Sequence, residues 1–344
     1  MSPNEVSYRR TVSAIGFALL VWLILFELFG SFMSALLPLF LAVIPAQHEV
    51  LSNVIYWMIY IAGDLLCFIL PVFLLKRFLS KSVGFCRPMY SEPQISTAMP
   101  LLVFACITVV YSAAHLNSAF MDLIGYSQSI SVEGIKASPA IYELIFEFIA
   151  LCIIPGFCEE LLFRGAILSN LLPFGKGRAI FISALLFSLM HRDASQIFYT
   201  FVAGILLGVV YEKTKSIWNC VLIHFANNFL SYLQNVLLIR INDPYLASAC
   251  LGLLELLVVL AGVFSVVILL TRFFSQKDQT ARKGFFAKRL EPCDEYAQYP
   301  VGRERAVKLF MAPSMVAFLV LCAVQIIAGL LIVIMGGKWL ELLG

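Results

Sequence analysis

The chain has 344 residues, of which 61% are hydrophobic and 13% charged, with a formal net charge of +3. A soluble domain is about 45–50% apolar and about 25% charged, so the composition excludes an ordinary soluble globule. The mild charge leaves no footprint for nucleic acid, and the nine cysteines, an odd number without a CxxC pair, argue against a zinc ribbon and a disulfide framework.

Taken in chain order, apolar runs fall at roughly 12–31, 51–75, 97–117, 139–171, 179–191, 196–212, 216–239, 250–272 and 309–335. A spanning helix needs about 20 apolar residues. The runs therefore predict an all-α fold, a polytopic transmembrane helical bundle of about eight or nine spans. The first run follows Arg9 and Arg10 and is too long for the core of a cleaved signal, and no clear small-residue cleavage site interrupts it. Residues 32–45 are also apolar and end near Pro45. They either extend the first helix or form a re-entrant piece.

The cations test this layout. With the N-terminus inside and each span reversing direction, most of the 24 lysines and arginines gather on one side, among them Arg9, Arg10, Lys76, Arg77, Lys176, Arg178, Lys213 and Lys215. The other side keeps Lys136, Arg192, Arg240 and Lys338, and Arg164 lies within a span. Cytoplasmic loops carry such an excess, which supports the spans and a multi-pass protein of the cell membrane. The division expected is 1–138 as N-terminal transmembrane helices, 139–240 as a catalytic core, and 241–344 as C-terminal helices with a charged, solvated cytoplasmic loop at 273–308.

Three motifs bring ionisable groups into apolar surroundings: Glu159-Glu160-x-x-x-Arg164, Phe187-x-x-x-His191 and His224-x-x-x-Asn228. At about 1.5 Å of rise per residue, Glu159, His191 and Asn228 all lie about 20 Å above the inner face, and His224 about 13 Å. An ionised side chain at mid-bilayer costs about 2.5–3.5 kcal/mol on insertion scales, so groups that converge on one wet cavity are favoured over scattered ones. Glu160 and Arg164 are four apart and share a helix face, so they can pair. Glu159 points about 100° away and is left for another task. Peptide hydrolysis needs an activated water and donors aimed at the developing oxyanion. Glu159 with His191 suits the first role, His224 with Asn228 the second. Two histidines and a carboxylate are also zinc-type ligands, although the HExxH helix is absent.

The ordered set EExxxR, FxxxH and HxxxN on successive spans resembles the CPBP family of intramembrane proteases, also called the CAAX-protease and bacteriocin-processing or Abi family. The resemblance covers Pro139 to Leu230. It implies a helical bundle with an intramembrane polar cavity opening to membrane and cytosol, and an intramembrane endopeptidase that cuts a membrane-associated, prenylated or unmodified, protein or peptide precursor. In prenyl-protein members three residues are removed after a lipidated cysteine. Carried over, Glu159 and His191 activate water, His224 and Asn228 bind the oxyanion, and Glu160 and Arg164 support them. The cofactor is left open between zinc at Glu159, His191 and His224 and a metal-free glutamate mechanism. The partners expected are membrane lipid and a membrane-held or lipidated peptide, with no nucleic acid. The alternative function is a non-proteolytic immunity factor or transporter on the same bundle.

Other polar positions read as structural. Asp64 has no second mid-span aspartate with which to share a proton, so an aspartyl protease is disfavoured. Glu143 and Glu147 face away from Glu159 by helical angle, and His48 and His115 lie at other depths.

Overall fold

A computed structural model describes residues 2–82, 84, 86, 98–124, 140–275 and 303–343. Among them the chain is 93% helical with no strand. Ten helices follow in order: α1 (Pro3–Leu41), α2 (Glu49–Ser82), α3 (Ala98–Leu123), α4 (Ile141–Phe174), α5 (Lys176–Met190), α6 (Ala194–Thr214), α7 (Ile217–Arg240), α8 (Pro244–Ser275), α9 (Arg303–Phe310) and α10 (Pro313–Leu343). Residues 32–41 continue the first helix through a π-type turn at Phe32–Leu36 rather than folding back separately.

Seven of these helices, α1 to α4, α6, α8 and α10, are long and apolar enough to cross a membrane. That is close to the eight or nine spans expected. The two segments read as spans that fall short are instructive. Helix α5 has only 15 residues. Helix α7 has 24, but His224, Asn227, Asn228, Ser231, Gln234 and Asn235 dilute its hydropathy. Most of the charged loop, residues 276–302, lies outside the described residues, and its end at Arg303–Phe310 is helical.

Each helix starts or stops for a local reason. Ser2 caps α1, accepting from the Glu5 N–H while the Glu5 carboxylate accepts from the Ser2 N–H at 2.9 Å, a reciprocal cap. Asp193 caps α6 by accepting from the Ser195 N–H at 2.9 Å. Helix α6 ends at Lys215, whose φ of 54° is the left-handed turn that closes a helix. There three lysines surround the nearly buried Glu212, with Lys176 Nζ at 2.6 Å, Lys213 Nζ at 3.2 Å and Lys215 Nζ at 3.5 Å. The cluster ties the N-terminal end of α5 to the C-terminal end of α6.

Small residues set how closely the helices approach, since lipid tails give no hydrophobic drive between apolar helices. Gly204 and Gly208 of α6 lie four apart. A Cβ on Gly204 would sit 2.8 Å from the Ala184 Cα of α5, and one on Gly208 would sit 3.0 Å from Ile180 Cγ2. Gly156 likewise lets α4 approach the Phe225 backbone of α7. Helix α3 packs on α6 and α8, α4 on α7 and α2, and α1 on α2 and α10. The buried core runs through α4, α5, α6 and α7 and takes in α1, α2 and α10, whose Val12, Ile15, Leu19, Leu75, Met315 and Phe318 are fully buried in it.

Replacing Gly204 by leucine should destabilise the bundle by about 1–3 kcal/mol through overpacking. Gly30→Leu, whose Cβ meets nothing within 4 Å, should leave the thermal unfolding midpoint in detergent nearly unchanged. Equal midpoints for the two variants would contradict the close α5–α6 contact.

Candidate active site

Helix α4 carries the carboxylates, and it is not a uniform α-helix. Pro155 lacks an N–H, so the Leu151 carbonyl four residues earlier cannot receive the usual helical donor. The chain adjusts with a π-type turn at Ile149–Ile153, and a second π-type stretch, Leu161–Leu168, follows the glutamates. Turns of this kind recur at functional sites. The Leu151 carbonyl instead accepts from Asn228 Nδ2 of α7 at 3.2 Å. Thus a proline in one helix creates the acceptor that orients an amide on another.

Glu160, just before the second π-type stretch, and Arg164, within it, pair as their spacing predicts, with Arg164 Nη1 2.8 Å from Glu160 Oε1. Both are almost wholly buried, at 0% and 1% side-chain exposure. The same carboxylate oxygen lies 2.8 Å from His224 Nδ1. Arg164 also donates through Nη2 to the Gly204 carbonyl at 3.4 Å and stacks its guanidinium 4.6 Å from the centroid of the Phe187 ring. Phe187 in turn packs edge-on against both histidine rings, His191 at 5.1 Å and His224 at 6.0 Å between centroids. The phenylalanine of the FxxxH pattern is therefore the spacer between the two imidazoles.

The ring orientations follow from these bonds. His191 Nδ1 lies 3.0 Å from the Phe187 carbonyl. A carbonyl only accepts, so Nδ1 carries the proton and Nε2 of neutral His191 is left as an acceptor. His224 Nδ1–H faces Glu160, and its Nε2 lies 3.9 Å from Glu159 Oε2. That Glu159 oxygen is buried and has no hydrogen bond to any described residue. A lone acceptor removed from water in this way costs free energy unless something fills the space beside it.

That space exists. One cavity of about 440 Å³ is lined by Glu159, His191, His224 and Asn228 together with Phe187 and Pro155. The four residues proposed from the motifs are thus brought to a single void from α4, the α5–α6 corner and α7. Asp64 is buried in α2 but does not line the cavity. Glu143 is tied up elsewhere, accepting from Asn53 Nδ2 of α2 at 3.1 Å and from the Ala140 N–H at 2.8 Å. His115 packs on Tyr111 at 4.6 Å.

Reading by motif missed several residues of this wall: Asn227, Ser231, Tyr232 and Asn235 of α7, and Gln196, Tyr199 and Thr200 of α6. The spacing of 224, 227, 231 and 235 by three or four was the available signal.

The corner that presents His191 is also held from outside. Arg192, at φ 55°, occupies the left-handed position after α5 where glycine is usual. Its guanidinium pairs with Glu27 of α1 and lies 4.7 Å from the Phe26 ring centroid and 5.7 Å from that of Trp22. Glu27 also accepts from Gln325 Nε2 of α10 at 2.9 Å. Sequence reading had left Arg192 as an outer-loop cation.

The structure lends no support to a zinc site at Glu159, His191 and His224. Among the described residues no group of three or more His, Cys, Asp or Glu side chains is placed to hold a metal ion. Each histidine has Nδ1 engaged, His191 on the Phe187 carbonyl and His224 on Glu160, which leaves Nε2 of both rings outside those bonds. The metalloprotease expectation has no support in the geometry.

A family model described as type II CAAX prenyl endopeptidase Rce1-like matches residues 141–230, which is consistent with the CPBP family. The matched segment runs from the start of α4 into α7 and contains all seven motif residues. It supports an intramembrane endopeptidase in general terms, and the apolar helices support a membrane protein. No curated protein and no solved structure matches the chain.

Glu160→Gln should strand the Arg164 charge in the interior and cost about 3–5 kcal/mol, as for other broken buried pairs. The double variant Glu160→Met with Arg164→Met should cost less than Glu160→Gln, because no charge is left unpaired. Thermal unfolding in detergent decides the ranking, and the reverse order would show that the pair is not a buried ionic one.

Proposed function

We propose that the protein is a metal-free glutamate endopeptidase acting on a membrane-held peptide. The observation that carries the reading is the cavity where Glu159, His191, His224 and Asn228 meet, with an unpartnered carboxylate oxygen 3.9 Å from an imidazole nitrogen. The Rce1-like match over the same helices supports it.

The roles follow from the bonds each group has left. Glu159 takes a proton from a water in the cavity, and His191 Nε2 holds that water as a second acceptor. The hydroxide adds to the scissile carbonyl carbon, and the carbonyl oxygen becomes the oxyanion. Asn228 has spent one amide hydrogen on the Leu151 carbonyl and offers the other. His224 donates from Nε2 in its imidazolium form, with Glu160 at Nδ1 and Glu159 beside Nε2, so that two carboxylates face the charges of Arg164 and His224. The tetrahedral adduct then breaks its C–N bond, and the proton held by Glu159 passes to the leaving amine. Water is consumed, and an acid and an amine are released. Arg164 and Glu160 touch no reacting atom in this scheme and serve as positioning residues for His224.

The apolar side chains of the wall, Ile107, Val110, Phe187 and Leu207 among them, make each donor worth more than it would be in water. A substrate reaches such a site from the bilayer more readily than from free solution, which favours a membrane-associated precursor.

Purified protein in lipid nanodiscs should cleave quenched-fluorescent peptides drawn from prenylated and unmodified sets. Glu159→Gln should lower kcat by about 10²–10⁴, the range of a lost general base. Asn228→Ala should lower it by about 10²–10³, the range of a lost oxyanion donor. Undiminished turnover in Glu159→Gln would remove the glutamate from its role, and a wild-type protein inert on both peptide sets would count against the protease.

A further inference from the structure

Beyond the catalytic groups, the cavity continues along α7. His224, Asn227, Ser231 and Asn235 fall at intervals of three, four and four, on one helix face, and all line the same void. Their hydrogen-bonding capacity is only partly used. Asn227 donates to Asn228 Oδ1 at 3.4 Å. Ser231 donates to the Asn227 carbonyl at 3.3 Å, leaving its oxygen lone pairs. Asn235 makes no hydrogen bond to any described residue. The wall contributed by α3 is of the opposite kind, with Cys106, Ile107 and Val110.

We infer that this face of α7 is a track for the main chain of an extended peptide, and that the substrate of the proposed reaction is a polypeptide segment of about five residues measured from the cleavage point. The inference rests on the protease reading and gives it a substrate class. Each residue of a peptide inside a membrane carries an N–H and a C=O that need partners. Carboxamide side chains offer both a donor and an acceptor, and a hydroxyl does the same. A row of them one helical turn apart suits a backbone better than it suits a lipid chain. In an extended chain successive side chains point to opposite sides, so one set faces the apolar α3 wall while the main chain lies on α7. From His224 to Asn235 the track rises about 16 Å, at about 1.5 Å per residue. An extended chain covers that in about five residues, at about 3.3 Å each. A tripeptide tail reaches only part of it.

The test uses full-length protein in nanodiscs and two randomised quenched-fluorescent peptide libraries, of four and ten residues. The ratio of KM for the short library to KM for the long one measures what the track contributes. In Asn235→Leu this ratio should fall about fivefold to tenfold, with kcat on the long library held. Ser231→Ala is the second variant, with a fall of about threefold, and the thermal midpoint of each checks that it folds. An unchanged ratio in both variants overturns the track even where peptides are cleaved. If wild type cleaves neither library, the protease reading fails separately. Binding of fluorescein-labelled ten-residue and four-residue libraries to Glu159→Gln, read by anisotropy, then decides the track. Tighter binding of the longer library that Asn235→Leu abolishes sustains it, and equal binding of both lengths, or none, ends it.

Discussion

Glu160 is sealed from its surroundings, and a carboxylate so placed persists only because Arg164 and His224 converge on one of its oxygens. In a low-dielectric interior an ion without a partner is costly, and one with two partners is a fixed point. The rest of the centre is arranged around that point. Arg164 reaches on to the Gly204 carbonyl of α6 and over the Phe187 ring of α5, and His224 belongs to α7. One buried charge therefore aligns four helices. His224 is turned so that its free nitrogen meets Glu159, which stands next in sequence but faces the void.

Irregular backbone does the remaining alignment. The π-type stretches on both sides of the glutamates depart from the even spiral of an α-helix, and Pro155 removes the donor that Leu151 would otherwise meet. A membrane offers no water to satisfy the freed carbonyl. Asn228 does so instead, and its orientation in the cavity follows from a carbonyl freed 77 residues away in sequence.

Some of this was legible in the residues alone. The Glu160–Arg164 pair follows from a spacing of four, and the sharing of one void by Glu159, His191, His224 and Asn228 follows from depth arithmetic on separate spans. Other parts were not. The arithmetic assumed uniform helix, and nothing in Ile149–Ile153 announces a π-type turn except the proline after it. Counting spans by hydropathy stops at seven because the polarity of α7 belongs to the cavity wall, while α5 is short. The zinc alternative rested on residue types, and types do not fix whether three donors converge. Arg192 looked like a loop cation because its partner, Glu27, stands 165 residues earlier in the sequence.

That last link bears on miniaturisation. The matched segment, residues 141–230, holds every motif and looks like a self-sufficient unit. Yet its guanidinium at 192 finds its counter-ion on the first helix, and that counter-ion is braced by the last. Excising the segment would leave that cation without its counter-ion, at the corner that aims an imidazole. A trimmed version of this protein would have to bring along helices from both termini or redesign that corner with a neutral residue suited to a left-handed turn.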